Sequence, residues 1–114
     1  MANTFKLVTK AGVTSSDVIY TPNAVTTVIL GLILGNTTSS QVTSTVSLAS
    51  STGSRAGDNN ESNQTVELIT NAPIPAGSSL ELLAGNKVVM ENNDALSVTA
   101  TGSTDVALSI MEIS

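Results

Sequence analysis

Short segments in which apolar residues alternate with serine, threonine or glutamate recur along this chain of 114 residues. In residues 41–49, valine and leucine fall on one face of an extended strand, whereas Thr43, Thr45 and Ser47 fall on the other. A period of two over so few residues indicates β-strands, and the β-branched side chains of valine, isoleucine and threonine pack well on a pleated surface. The same alternation predicts further strands within residues 64–70, 80–83, 96–101 and 105–113.

Turn-forming residues separate these predicted strands. Proline, glycine, asparagine and aspartate cluster at residues 21–23, 35–37, 76–78, 85–86, 92–94 and 101–103. Strands that recur with such turns between them predict one all-β domain over residues 1–114, a single antiparallel β-sandwich that is Ig-like or jelly-roll-like and has about seven to nine short strands. The longest irregular stretch, residues 50–63, is polar and is predicted to be a loop that is either functional or mobile.

Two predicted strands are apolar on both faces. The segment Val28–Leu34 is apolar throughout except at Gly31, and in the last strand Met111 and Ile113 lie opposite the face that carries the other apolar residues. Either another subunit covers these second faces, or loops and the N-terminal segment cover them within one chain. The candidate residues for an oligomer or capsid interface are Val28, Leu30, Leu32, Leu34, Met111 and Ile113.

The composition excludes several function classes. The chain has no histidine and no cysteine, which removes histidine general bases, reactive thiols and zinc sites of the usual kind. Its net charge is −5 and it has one phenylalanine and one tyrosine, so a basic, aromatic surface for nucleic acid is not expected. We therefore predict a protein that is not an enzyme, takes no cofactor and does not bind nucleic acid.

The sequence also predicts no membrane partner and no secretory leader. The longest apolar run, Val28–Leu34, is much shorter than the roughly 20 residues of a membrane-spanning helix. No apolar segment follows Lys6, as it would in a signal peptide. We expect a soluble protein that is made in the cytoplasm.

Two oxygen-rich clusters are weak candidates for binding a metal ion. Asp58 and Glu61 flank two asparagines, and a similar cluster lies at 91–94. Calcium takes six to eight oxygen ligands, but neither cluster has the spacing of an EF-hand loop. A solvated turn that uses asparagine and aspartate for its backbone geometry is the favoured interpretation of both.

The second half of the chain carries motifs that are specific enough to suggest a family. These are Asn71-Ala72-Pro73-Ile74-Pro75-Ala76-Gly77-Ser78-Ser79, the segment 87–98 with its Asn-Asn-Asp turn, and a closing strand that ends near Glu112. Together with Tyr20-Thr21-Pro22 and the turn at Gly35, they resemble small β-sandwich virion structural proteins, decoration or accessory proteins, of tailed bacteriophages, particularly phages of marine cyanobacteria. The sequence departs from that pattern at 91–94, where a glycine commonly precedes the aspartate. Asn93 in the left-handed region would serve the same purpose.

The resemblance implies a particle component and no catalytic residue. A capsid decoration or cement protein is its leading implication: a homo-oligomer, for example a trimer, that binds the major capsid protein and resides in the virion after synthesis in the host cytoplasm. A tail, neck or fibre-attachment component is the alternative within the same class. A carbohydrate-binding β-sandwich is a more distant alternative, against which the scarcity of aromatic residues counts.

Overall fold

The computed structural model describes residues 3–50, 64–83 and 87–113, and within them the chain forms nine β-strands and no helix long and apolar enough to cross a membrane. All the strand pairings are antiparallel. The strands are β1 (Asn3–Val13), β2 (Ser16–Tyr20), β3 (Thr26–Asn36), β4 (Val42–Ala49), β5 (Thr65–Ile74), β6 (Ser79–Leu82), β7 (Val88–Met90), β8 (Ala95–Ala100) and β9 (Thr104–Ile113).

The strands form two sheets that pack face to face. The first sheet has the order β1-β9-β3-β6, with β7 also paired to β3, and the second has the order β2-β8-β4-β5. The first four strands therefore pair, in reverse order, with the strands that follow them: β4 with β5, β3 with β6 and β7, β2 with β8, and β1 with β9. Successive pairs alternate between the sheets, which is the topology of a jelly roll. The prediction of an all-β sandwich is confirmed.

The core lies between the sheets and follows the alternation in the sequence. Val106, Leu108 and Ile110 of β9 are all buried, as are Leu96 and Val98 of β8. Burying a side chain of this size contributes about 1.5–3 kcal/mol relative to leaving it exposed. Because the chain has no cysteine, this burial takes the place of disulfide support.

The turn at 91–94 has the geometry that the sequence predicts. Asn93 has a φ of +72° and therefore occupies the left-handed region, as the sequence predicts. The carboxylate of Asp94 accepts a hydrogen bond from the backbone N–H of Glu91 at 3.0 Å and is buried. Gly77, with a φ of +70°, plays the corresponding part in the turn between β5 and β6.

One of the two alternatives for the apolar second faces was that the N-terminal segment covers them, and the N-terminal segment does not lie in that position. It forms the long strand β1 beside β9 in the first sheet, and so extends that sheet instead of lying over it.

Strand β5 is longer than its alternation indicates and continues through Pro73 to Ile74. Proline is tolerated there because β5 is the edge strand of the second sheet.

Candidate interaction surface

A row of apolar side chains crosses four strands on the outward face of the first sheet. Phe5 of β1 lies opposite Met111 of β9. Met111 in turn lies opposite Val28 of β3, and Val28 lies opposite Val89 of β7. Directly opposed residues point to the same side of a sheet, and this side is outward because the neighbouring Ile29 is completely buried.

Two more apolar side chains extend this row along the strands. Leu7 lies opposite Ser109, and Ile33 lies opposite Ala107. The described residues include six exposed large hydrophobic side chains, and four of them are here: Phe5 (72% exposed), Leu7 (65%), Val89 (57%) and Ile33 (46%). We call the whole set the apolar patch; its members are Phe5, Leu7, Val28, Ile33, Val89 and Met111.

The surface of the apolar patch contains two depressions. A cavity of about 270 Å³ opens between Leu7 and Ile33, and Leu30 contributes to its lining. A second cavity of about 350 Å³ lies beside it, between Thr9 and Asp105. Such depressions can receive the side chains of a partner protein. This surface is therefore better suited to contact with another protein than to exposure to water.

The outward face of the second sheet has the opposite chemistry. Thr45 of β4 lies opposite Thr99 of β8, and Ser47 lies opposite Ser97. Hydroxyl side chains therefore line the centre of that face, where Val18 of β2 is an isolated exposed hydrophobic side chain. The two outer faces of this sandwich are thus unequal, and among the described residues only the first presents contiguous apolar surface.

The structure separates the six residues that the sequence proposes for an interface. Val28, Leu30, Met111 and Ile113 are half-buried, whereas Leu32 and Leu34 are 1% and 0% exposed and belong to the core. The reason is a β-bulge between Ile29 and Gly31, which shifts the register by one residue and reverses the alternation in the second half of β3. Ile33 takes the outward position instead.

Four members of the apolar patch are not among the residues that the sequence proposes for an interface: Phe5, Leu7, Ile33 and Val89. A signal for β1 was present, since Phe5 and Leu7 alternate with Lys6 and Val8. Val89 lies in a strand of three residues, which is too short for any periodicity to show.

A group of four polar side chains, which we call the polar clasp, joins the two sheets on their inner side. The carboxylate of Glu112 accepts a hydrogen bond from the Tyr20 hydroxyl at 2.6 Å, and its other oxygen lies 2.8 Å from Nζ of Lys6. Since the single hydroxyl proton of Tyr20 goes to Glu112, the hydroxyl of Thr27 donates to Tyr20 over 2.7 Å.

The polar clasp shifts the pKa values of two of its members in opposite directions. Burial, and then the hydrogen bond to Glu112, raises the pKa of Tyr20 to about 12. The hydrogen bonds from Lys6 and then from Tyr20 hold the pKa of Glu112 below its usual range. A neutral tyrosine bound to an ionised glutamate is a stable arrangement at neutral pH, so the clasp has the chemistry of a structural connection.

The candidate metal ligands Asp58 and Glu61 lie outside the described residues. Among the residues that are described, no three carboxylates come close enough together to hold a metal ion. The turn at 91–94 uses its polar side chains in hydrogen bonds to the backbone: Oδ1 of Asn92 accepts the N–H of Ala24 at 2.7 Å.

Comparison with known proteins identifies distant structural likeness. No protein-family model and no curated protein sequence matches the chain significantly. A solved structure from Bacillus endospore appendages, described as disulfide-linked pili, is 13% identical over 96% of this chain and 85% of its own, with a TM-score of 0.43. Two virus-particle structures, infectious bursal disease virus strain Gx and the T13 particle of the same virus, are each 10% identical with a TM-score of 0.39.

The chain spans little more than a third of the length of the two virus-particle chains, 37% and 35%, while 98% and 96% of this chain is covered. At these identities and TM-scores, its function has to be argued from its own residues.

Proposed function

We propose that this chain is a non-enzymatic structural protein of a phage virion, a capsid decoration or cement protein that binds the particle surface and stabilises it through subunit interfaces. It associates with itself and with other virion proteins such as the major capsid protein. It acts in the virion after synthesis in the host cytoplasm.

The observation that carries this proposal is the apolar patch. Single exposed hydrophobic side chains are normal on soluble proteins, but a contiguous row such as Phe5, Met111, Val28 and Val89 marks a surface that another protein covers. The hydroxyl-lined opposite face fits exposure to water. A protein with one adhesive face and one solvated face suits the surface of a larger assembly.

Two further considerations support the proposal. The motifs around Pro73, Gly77 and Asp94 resemble small virion proteins of tailed phages, as described above. The jelly roll is also an architecture that viral capsid proteins use repeatedly. That second consideration is an analogy between folds, and a fold by itself does not fix a function.

The test is to add the purified protein to expanded capsids of the tailed phage that encodes it, after the protein has been removed from them. Decoration predicts saturable binding of many copies per capsid, with immunogold label spread over the whole head. The bound capsids should resist heat and osmotic shock better than bare ones. Absence of binding to the head contradicts the proposal.

The same labelling separates the alternatives. Gold confined to the tail or neck overturns decoration in favour of a tail, neck or fibre-attachment component. Failure to bind any part of the particle, together with binding to a panel of host surface glycans, favours the carbohydrate-binding alternative.

A further inference from the structure

We propose that the cavity between Thr9 and Asp105 receives an arginine side chain of the virion protein that covers the apolar patch. The aliphatic stem of this arginine lies in the cavity, and its guanidinium group binds the carboxylate of Asp105. The inference rests on the proposed function for the identity of the partner, and it adds the chemistry by which that partner is recognised.

The cavity is a trough between two strands of the first sheet. Thr9 of β1 and Ile33 of β3 both lie level with Ala107 of β9, the strand that separates them. The two walls are therefore two strand spacings of about 4.8 Å apart, and the floor between them carries only a methyl group. At Gly35, one row further along β3, a Cβ atom would lie 4.0 Å from the nearest atom of a non-neighbouring residue. These small residues leave an open depression of about 350 Å³.

The backbone fixes a carboxylate at the end of this trough. Asp105 lies opposite Gly35 and contributes to the lining of the cavity. Gly12, with a φ of +67°, lies in the irregularity that interrupts the pairing of β1 between Lys10 and Val13. Its N–H donates a hydrogen bond of 2.9 Å to Oδ1 of Asp105. Asp105 is exposed, so Oδ2 is accessible to a cationic group of a partner.

An apolar trough that ends at a carboxylate matches a long side chain with a cationic head. Lysine and arginine both bury an aliphatic stem against apolar surface while the charged group stays at the edge. Arginine fits better, because its planar guanidinium group is more weakly hydrated than an ammonium group and donates several hydrogen bonds to one carboxylate. Arginine is also enriched in protein interfaces, whereas lysine is depleted.

The lysine of this chain that lines the cavity does not neutralise Asp105. The register of β1 places Lys10 on its inner side, opposite the buried Val106. Among the described residues, the ion pair that the structure contains joins Lys6 to Glu112. The carboxylate at the end of the trough therefore keeps its charge for a partner.

The charges of the face favour another protein over a second copy as the source of the arginine. Asp105 and Glu81 lie toward one end of the outward face, and Glu91 lies level with Thr26 at the other. A copy stacked on this face places acidic ends over acidic ends, whether the two-fold axis runs along the strands or across them, and like charges destabilise an interface. The whole chain has nine acidic residues and four basic ones, so a basic partner is complementary to it.

The first test uses the arginine side chain alone, as N-acetyl-arginine methylamide, and follows its binding by NMR of the ¹⁵N-labelled protein. The amide signal of Gly12 should shift saturably, because its N–H shares the Asp105 carboxylate with the ligand. The matched ligand N-acetyl-citrulline methylamide has a neutral urea group in place of the guanidinium and should bind about threefold more weakly or worse. Equal affinity for the two ligands, or no saturable shift of the Gly12 signal, overturns the proposal.

Two variants separate the carboxylate from the shape of the cavity. Asp105→Asn removes the charge but keeps an oxygen that accepts the N–H of Gly12, so the fold should be retained while binding weakens about three- to fivefold. Ala107→Leu fills the floor of the trough and should abolish binding although Asp105 is intact. The NMR spectrum of each variant shows whether its fold is kept.

Glu67→Gln is the matched control for the change in charge. Glu67 lies opposite Ser47 on the outer face of the second sheet, so this variant removes one carboxylate far from the cavity. It should bind the arginine ligand as the wild type does. An equal loss of binding in Glu67→Gln and Asp105→Asn, or unchanged binding in both Asp105→Asn and Ala107→Leu, contradicts the proposed site.

The second test uses the expanded capsids. Binding of the wild type should weaken as NaCl is added, and Asp105→Asn should bind less tightly at low salt and depend less on salt. Sedimentation of the isolated protein identifies the source of the cation. A wild type that forms a dimer, which Asp105→Asn converts to a monomer, would place a second copy at the cavity and overturn the proposal.

The outcomes for this site and for the proposed function are distinguishable. Capsids that bind the wild type and Asp105→Asn equally well overturn the arginine site and leave decoration standing. A protein that binds the arginine ligand through Asp105 but binds no part of the virion overturns decoration and leaves the preference of the cavity for arginine standing.

Discussion

The hydroxyl of Tyr20 donates a hydrogen bond of 2.6 Å to the carboxylate of Glu112, although 92 positions separate the two residues in the sequence. Tyr20 ends the first strand of one sheet, and Glu112 lies in the last strand of the other. The contact therefore fastens the two sheets to each other beside the edge strand β1.

Alkaline titration should weaken the fold through Tyr20. The pKa of this residue is raised to about 12 in the folded protein, whereas an unperturbed tyrosine has a pKa of about 10. Between these values the unfolded chain releases its proton and the folded chain does not, so the free energy of unfolding should fall as the pH rises. Urea unfolding between pH 8 and pH 12 tests this, with Tyr20→Phe as the variant that lacks this contribution. Because the chain has one tyrosine, tyrosinate absorbance reports its titration directly.

Acidification should weaken the fold through Glu112. Lys6 and Tyr20 hold its pKa below the usual range, so the folded state favours the ionised carboxylate. The resulting stability is present above the pKa of an unfolded glutamate, about 4.3, and is lost as the pH falls through the lower folded value. Glu112→Gln should be less stable than wild type at pH 7 and should lose less stability on acidification. If both proteins show the same pH dependence, the carboxylate is not responsible.

Asn36 should be essential to the turn after β3. Its side-chain amide donates to the carbonyls of Ser40 and Ile74 at 2.8 and 2.9 Å, and its oxygen accepts the N–H of Thr38 at 2.8 Å. Asn36 is buried, so Asn36→Ala leaves these groups without partners and should cost about 2–4 kcal/mol of unfolding free energy. Chemical denaturation measures the loss. Asn23→Ala, at an exposed turn position, should change stability by less than about 0.5 kcal/mol.

Gly102 should not tolerate a side chain. A Cβ atom there would lie 2.7 Å from Cγ1 of Val42, which is buried. Gly102→Ala should therefore destabilise the protein by about 1–3 kcal/mol, as overpacking does. A further substitution, Val42→Ala, removes the obstructing methyl group. It should therefore lower the free energy of unfolding by less in the Gly102→Ala background than in wild type. Gly35→Ala, whose Cβ would meet only ordinary contacts, is the control.

Ser44 occupies a core position that an apolar side chain should fill better. Its hydroxyl is completely buried and has no hydrogen-bond partner within the described part of the chain. A buried polar group without a partner is destabilising, so Ser44→Ala should raise the free energy of unfolding by about 1 kcal/mol. Ser47→Ala, on the outward side of the same strand, should have little effect. A loss of stability in Ser44→Ala would indicate that the hydroxyl has a structural role.

Much of the architecture could be predicted because the pattern is local. The alternation in β8 and β9 and the left-handed Asn93 follow from neighbouring residues alone, and the structure has both. The bulge between Ile29 and Gly31 could not be predicted, since a continuous apolar strand gives no sign of where its alternation reverses. Without the bulge, Leu32 and Leu34 would share the outward face of Val28.

The members of the candidate surface and of the polar clasp were harder to predict, because distant strands bring them together. Phe5 and Met111 become neighbours only through the pairing of the first strand with the last. Nothing in the sequence around Tyr20 or Thr27 indicates that a glutamate near the end of the chain accepts the hydrogen bond. Composition and alternation establish the class of fold, whereas these contacts depend on the order of strands in its sheets.

The nested pairing of the strands has a consequence for how the chain is made. Because β1 pairs with β9 and β2 with β8, the first strands to leave the ribosome have no partner until the last ones have been synthesised. Long-range pairing of this kind makes folding slow, so the apolar strand β3 stays exposed while the chain grows. In any cell that produces this protein in quantity, we therefore expect incomplete, aggregation-prone copies to be present during synthesis. Synthesis at a lower growth temperature, at which hydrophobic association is weaker, should therefore raise the yield of folded protein.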